Sequence, residues 1–336
     1  MSMSKPNVLV FGLGGIGGVY ACLLSLSERC CVHVVARSNY ESVKTRGFRL
    51  VSPKLGDHDD IQFAGVWRSC REANESNVQF DYVICANKAL LDAEPSLSEH
   101  LRPVITSTTS IVLLQNGVGI EAPLHESFPN TTIISAVVWT GGKMLPEKNG
   151  IAGVEHFSDL SLTIGVDYRA NGDKAEEDAK LDRFVEMIKA GKGGCIVTDD
   201  IQSQRWVKVI WNAYVNSLTA AIRLPSHFLF AATPFAEQLS MAILSETSTV
   251  ARAKGLNIPP ETEQQLFDRC KAGIPGAKGY PSSMMMDCID CKPMEVEAIL
   301  GTPLREGQRL GIPTPTLLTM YTILKAVDLG RASPDL

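Results

Sequence analysis

Apolar residues follow two patterns along the 336-residue chain. Before residue 199 they gather in short uninterrupted runs: Asn7–Phe11 (NVLVF), Cys31–Ala36 (CVHVVA), Phe80–Ala86 (FDYVICA), Ser110–Leu114 (SIVLL) and Thr132–Val138 (TIISAVV). Runs of this length, bounded by turn residues, predict strands buried on both faces of a parallel sheet. A Gly-rich turn and an apolar helix to about Leu26 follow the first run, and residues 47–66 read as an irregular hairpin. Further on, Val154–Leu160 and Ser161–Val166 alternate like an antiparallel pair. Lys174–Lys189 is an amphipathic helix, and Cys195–Val197 is a last strand. Alternating β and α units predict a doubly wound sheet with right-handed crossovers.

Beyond Asp199-Asp200 the periodicity is helical. Gln202–Ile222 runs without Gly or Pro, with Asp199 or Asp200 available as a cap, and Phe235–Lys254 stops at Gly255. Met294–Leu310 is read as a helix with Pro293 at its entry, and Pro315–Leu329 as the last one. The expected fold class is therefore α/β. An N-terminal Rossmann-type, doubly wound, mostly parallel sheet occupies 1–198, and a C-terminal all-helical domain occupies 199–336.

Composition narrows the function classes. Hydrophobic residues make up 45% and charged ones 21%, enough to build sizeable cores. A net charge of −5 leaves no basic footprint for nucleic acid. The opening MSMSKPNVLVFG leads straight into a strand-like run, and no stretch of about 18 apolar residues stands anywhere, so neither a signal peptide nor a membrane span is expected. The expected location is the cytoplasm. Nine cysteines, an odd number, predict reduced thiols over a disulfide framework. Cys288 and Cys291 have CxxC spacing, but no second ligand pair accompanies them and the histidines are dispersed; no metal is expected.

Gly12-Leu-Gly14-Gly-Ile-Gly17 follows the first strand and opens the first helix. That context suits a dinucleotide: a tight turn, close backbone approach to the pyrophosphate, and an anion at the positive end of a helix. A merely structural turn is the plain alternative. The second strand ends in Arg37-Ser38-Asn39, with no acid before Glu41 to hold a ribose 2′-hydroxyl. Arg37 can pair with a 2′-phosphate and Ser38 can donate to it, which favours NADP(H) over NAD(H). A solvated strand-end arginine is the competing reading.

The helical part opens with Lys208, Asn212 and Asn216, four residues apart and so on one helix face, among Val207, Ile210, Trp211, Val215 and Leu218. A solvated face would carry interchangeable Glu, Lys and Gln. One lysine followed by two asparagines, which are poor helix formers, points to a polar stripe with partners.

With these motifs in view, the chain resembles the ketopantoate reductase family over nearly its full length. The shared features are the Gly-rich first turn, Asn87-Lys88-Ala89 after a later strand, and Gln115-Asn116-Gly117 at a strand end. They continue with Lys208-x3-Asn212-x3-Asn216, then Ser283-Met284 with Asp287, and Glu295 twelve residues after the serine. The resemblance implies NADPH-dependent reduction of a small 2-keto acid, 2-dehydropantoate to pantoate or a related substrate, in pantothenate biosynthesis. It implies Lys208 as general acid for the developing alkoxide. Glu295 would hold the substrate's distal hydroxyl or keep the lysine charged. Asn212, Asn216 and Ser283 would orient substrate, Asn116 would lie near both nicotinamide and substrate, and Lys88 would stand beside the cofactor with Gly12, Gly14, Gly17 and Arg37. The plain alternatives are a turn at Asn116-Gly117, a helix cap at Ser283 and an early-helix acid at Glu295.

Some positions depart from the family. Cys291-Lys292-Pro293-Met294 stands where a basic pair and a threonine are common, Tyr280-Pro281 replaces more polar residues, and Trp139 adds an aromatic. These favour a broader or more apolar 2-keto acid. Two other readings stay open: an enzyme of secondary metabolism acting on a larger keto or imine substrate, and a non-catalytic NADP(H)-sensing protein. The expected partner is a small-molecule 2-keto acid, not nucleic acid or a membrane; a homodimer is left open.

Overall fold

Twelve strands build two sheets in the computed structural model, which describes residues 5–273 and 281–331. They are β1 (Asn7–Phe11), β2 (Cys31–Val35), β3 (Phe48–Val51), β4 (His58–Ile61), β5 (Gly65–Trp67), β6 (Tyr82–Cys85), β7 (Ser110–Leu113), β8 (Thr132–Val138), β9 (Gly142–Lys148), β10 (Ile151–His156), β11 (Ser161–Asp167) and β12 (Gly194–Val197). The main sheet runs β12-β11-β8-β7-β6-β1-β2-β5. From β5 to β8 all neighbours are parallel; β11 is antiparallel to β8 and parallel to β12. Every residue of β6, β7 and β8 is buried, which is why these strands read as unbroken apolar runs. From β1 the chain steps outward to β2 and later crosses back to β6 on the other side. The strand order therefore reverses between β1 and β6, the place where open α/β sheets bind ligands at their strands' carboxyl ends.

The smaller sheet, β4-β3-β10-β9, corrects one expectation. Residues 154–160 and 161–166 are not partners. Val154 lies in β10, which pairs with β9 and β3, whereas β11 joins the main sheet beside β8. Alternation marks a strand without choosing its neighbour. The five central residues of β11 are all buried, the pattern of a sheet-interior strand and not of a half-exposed hairpin arm. The hairpin expected in 47–66 is β3–β4, but β5, directly after it, leaves for the edge of the main sheet.

The chain divides into two compact units. One takes the residues through Asn87 with Ala93–Gln115 and Glu121–Ile201; the other takes Lys88–Asp92, Asn116–Ile120 and Gln202 onward. The two short loops after β6 and β7 group with the helices. The spine of the helical unit is Ile201–Ile222, whose Val209, Ile210 and Tyr214 are buried with Ile243, Leu244 and Leu317 of other helices. The expected helix Met294–Leu310 starts later than predicted. A π-turn, Glu297–Gly301, precedes Thr302–Arg309, so Pro293 and Glu295 stand ahead of the helix. Here the Thr302 N–H donates to Glu297 O, while Val118 N–H donates to Ala298 O at 3.0 Å. Such wide turns recur at functional sites. Among the described residues no helix is long and apolar enough to cross a membrane.

Candidate active site

The glycine-rich turn is built by the absence of side chains. Gly12 sits at φ +104°, and a Cβ there would lie 2.7 Å from the Asn87 nitrogen; one on Gly17 would lie 1.9 Å from the Gly12 carbonyl oxygen. Gly14 is different, because a Cβ there would meet nothing within 4 Å. It is the N-cap of helix Gly15–Ser27, whose start has no side-chain cap and no acid in its first turn. Open space over uncapped helical N–H groups fits a dinucleotide pyrophosphate. The Asn39 side chain donates to Leu13 O at 3.3 Å and so ties the end of β2 to this turn. Arg37 and Ser38 are exposed there, and the Arg37 guanidinium has no partner among the described residues.

In the helical unit, four carboxylate and amide groups converge from segments far apart in sequence. Glu295 is buried; its Oε1 accepts from the Ala89 N–H at 3.0 Å and its Oε2 from Asn116 Nδ2 at 3.1 Å. Asp287, also buried, takes a close ion pair from Lys88. Burial works against the Lys88 ammonium, but the charges of Glu295 and Asp287 outweigh it and hold its pKa above the usual lysine value. Burial raises the pKa of Asp287, against the pull of Lys88 and with the added charge of Glu295. Lys88 thus carries its charge between two carboxylates, paired with Asp287 and within the field of Glu295.

Lys208 is half-buried on helix Ile201–Ile222, and Asn212 and Asn216 are buried farther along it. Burial, then the positive charge of Arg205, pushes the Lys208 ammonium down to about 8, while the Glu295 carboxylate opposes the shift. Arg205 is itself buried, and its Nη1 donates to Gly117 O at 2.8 Å. Gly117, at φ +92°, has no room for a Cβ, which would stand 2.4 Å from that of Ala298. Asn116-Gly117 is thus a turn, and the same turn presents the Asn116 amide to Glu295.

The family models describe both parts of the chain: Ketopantoate reductase PanE/ApbA matches residues 8–166, and Ketopantoate reductase PanE/ApbA C terminal matches 200–328. The chain belongs to the ketopantoate reductase family. By that membership it is an oxidoreductase. A 2-dehydropantoate 2-reductase of Nostoc is 26% identical over 98% of this chain and 97% of its own. The crystal structure of 2-dehydropantoate 2-reductase from Methylococcus capsulatus superposes with a TM-score of 0.79 at 29% identity, covering 97% of this chain and 98% of that one. A ternary structure of D-mandelate dehydrogenase with NADH and anilino(oxo)acetate shares the fold, with a TM-score of 0.80 at 20% identity, over 97% of this chain and 99% of that one.

Of the residues that the ketopantoate reductase resemblance singled out, the structure joins Asn116 to Glu295 by a hydrogen bond and sets Lys88 and Lys208 in the field of Glu295. Asn212 and Asn216 share the Lys208 helix. Ser283 is exposed and has no hydrogen bond to them. The cap of Ser283–Ile289 is Ser282, not Ser283; Ser282 accepts from Met285 N at 3.1 Å and bonds Thr219 Oγ1 at 2.7 Å. Glu295 stands at the head of the helical run, its carbonyl accepting from the Ile299 N–H at 3.1 Å, while its carboxylate takes the bonds from Ala89 and Asn116. Arg205 was missed. It lies three residues before Lys208 on the same helix, so extending the stripe by one turn would have found it. Among the departing positions, Trp139 is half-buried just after β8, Cys291 is exposed, and Tyr280 lies outside the described residues.

Proposed function

We propose that this chain reduces a 2-keto acid with NADPH, and that Lys208 supplies the proton. The observation that carries the reading is Lys208 on one helix with Asn212 and Asn216, in the same unit as a Glu295 carboxylate fixed by Ala89 and Asn116. Burial and Arg205 lower the Lys208 ammonium to about 8, and the charge of Glu295 opposes them. Such a group is charged at neutral pH and gives up its proton readily, as a donor to a nascent alkoxide must. The bound nicotinamide would contribute the hydride to the carbonyl carbon. The rest of the work falls to the chain. Lys208 hydrogen-bonds the carbonyl oxygen and protonates it. Asn212 and Asn216 offer amide N–H donors to the carboxylate and the keto group. Glu295, fixed by Ala89 and Asn116, accepts from a substrate hydroxyl or holds the Lys208 charge. Lys88, neutralising Asp287, keeps this buried site from accumulating negative charge.

The glycine turn would hold the pyrophosphate, and Arg37 with Ser38 the 2′-phosphate; the absence of an acid at the end of β2 supports NADPH over NADH. D-mandelate dehydrogenase, whose ternary structure holds NADH and anilino(oxo)acetate on the same fold, makes aromatic substrates and NADH necessary controls. The test is oxidation of NADPH and NADH with a panel comprising ketopantoate, 2-ketobutyrate and phenylglyoxylate. Turnover of at least one 2-keto acid with NADPH well above NADH is expected. Equal use of both cofactors overturns the NADPH assignment, and no turnover with any member overturns the reductase.

A further inference from the structure

Arg37 does not stand alone at its strand end. β5 lies parallel to β2 with Trp67 opposite Val35, and the Ala36 N–H donates to Trp67 O at 2.9 Å. The chain therefore leaves both strands side by side, and Arg68 emerges next to Arg37. Its backbone is fixed by a bond from the Arg68 N–H to Glu72 Oε2 at 2.6 Å. Its guanidinium lies over the Tyr40 ring, with the central carbon 3.8 Å from the ring centre. Tyr40 is buried, and its hydroxyl accepts from Lys44 Nζ at 2.5 Å. One Arg68 nitrogen is closely paired with Glu41; the other donors of the fork have no partner among the described residues.

The chemistry of this corner is specific. Glu41 is the first acid after β2 and would disfavour a phosphate nearby, while serving a ribose hydroxyl well. Arg68 neutralises it. A guanidinium held over an aromatic ring and by one carboxylate keeps further N–H donors for a dianion, and part of its ordering cost is met before ligand arrives. Resting on the NADPH reading above, we propose that Arg68 is a second specificity-determining residue, which holds the cofactor's 2′-phosphate together with Arg37 and masks Glu41.

Calorimetric titration of the whole protein with 2′,5′-ADP and with AMP tests this without any catalysed reaction. Arg68→Ala is expected to weaken 2′,5′-ADP about tenfold or more, the scale of one charge-assisted contact, and to leave AMP within about twofold. Binding of 2′,5′-ADP unchanged in Arg68→Ala but lost in Arg37→Ala overturns the inference and leaves the NADPH reading standing. Equal loss of both nucleotides in Arg68→Ala also overturns it, since the residue would then support the fold of the corner. If the unmodified protein binds AMP as tightly as 2′,5′-ADP, the NADPH reading fails first.

Discussion

The glycine turn after β1 and the polar cluster around Glu295 are two solutions to the same need, a preorganised site for charge. The first is made by removing side chains, so that backbone N–H groups face open space above Gly14 and a Cβ is barred at Gly12 and Gly17. The second is made by adding side chains, with Lys88, Asn116, Asp287 and Glu295 contributed by loops and helices whose partners lie 179 to 199 residues apart. A backbone site is fixed by local conformation and tolerates almost no substitution. A side-chain site is fixed by tertiary packing, and each member can be deleted separately. Damage to the first should weaken cofactor binding, and damage to the second should spare cofactor binding and show in turnover or in KM for the keto acid.

The largest effect is expected at Lys208. Lys208→Ala should lower kcat by about 10²–10⁴-fold while NADPH affinity, followed by fluorescence, stays within about twofold. A parallel loss of binding would erase the contrast between the two regions. Gly17→Ala is its counterpart. A Cβ 1.9 Å from the Gly12 carbonyl cannot be accommodated without opening the turn. NADPH affinity should therefore drop by roughly tenfold or more, along with a lower melting temperature; wild-type binding would show that the turn is not the cofactor site. Glu295→Gln should raise KM for the hydroxyl-bearing ketopantoate by about tenfold and that for 2-ketobutyrate far less, as for a lost hydrogen bond to a charged group. Equal effects on the two substrates would reassign Glu295 to Lys208. The smallest effect belongs to Ser282→Ala, which removes the cap of the helix carrying Asp287 and should cost about 1 kcal/mol in urea unfolding. A change below the precision of that experiment would deny the capping role.

The same contrast explains how much was legible in the sequence. Gly12, Gly14 and Gly17 were visible because the motif, strand and helix are contiguous, and Lys208, Asn212 and Asn216 because helical spacing is local. The buried strands declared themselves by their apolar runs. The partner of β11 did not, since alternation carries no information about which edge a strand joins. The helix expected from Met294 reads as continuous because its residues suit a helix, yet the Ala298 carbonyl is engaged by Val118 from a distant loop. The pairing of Lys88 with Asp287 is likewise a product of tertiary structure. Family resemblance named the residues; only the fold shows that Glu295 holds both Ala89 and Asn116, and that Arg205 adds its charge to the Lys208 environment.

The claim that Lys208 is the proton donor is tested most directly by the pH dependence of kcat with NADPH and the best 2-keto acid of the panel. Burial and Arg205 bring the ammonium to about 8, so its protonated form prevails below that pH and disappears above it. Turnover should be level from about pH 6 to about pH 7.5, then fall by about tenfold per unit as the donor is lost. A rate that stays constant, or rises, up to about pH 10 would contradict the account.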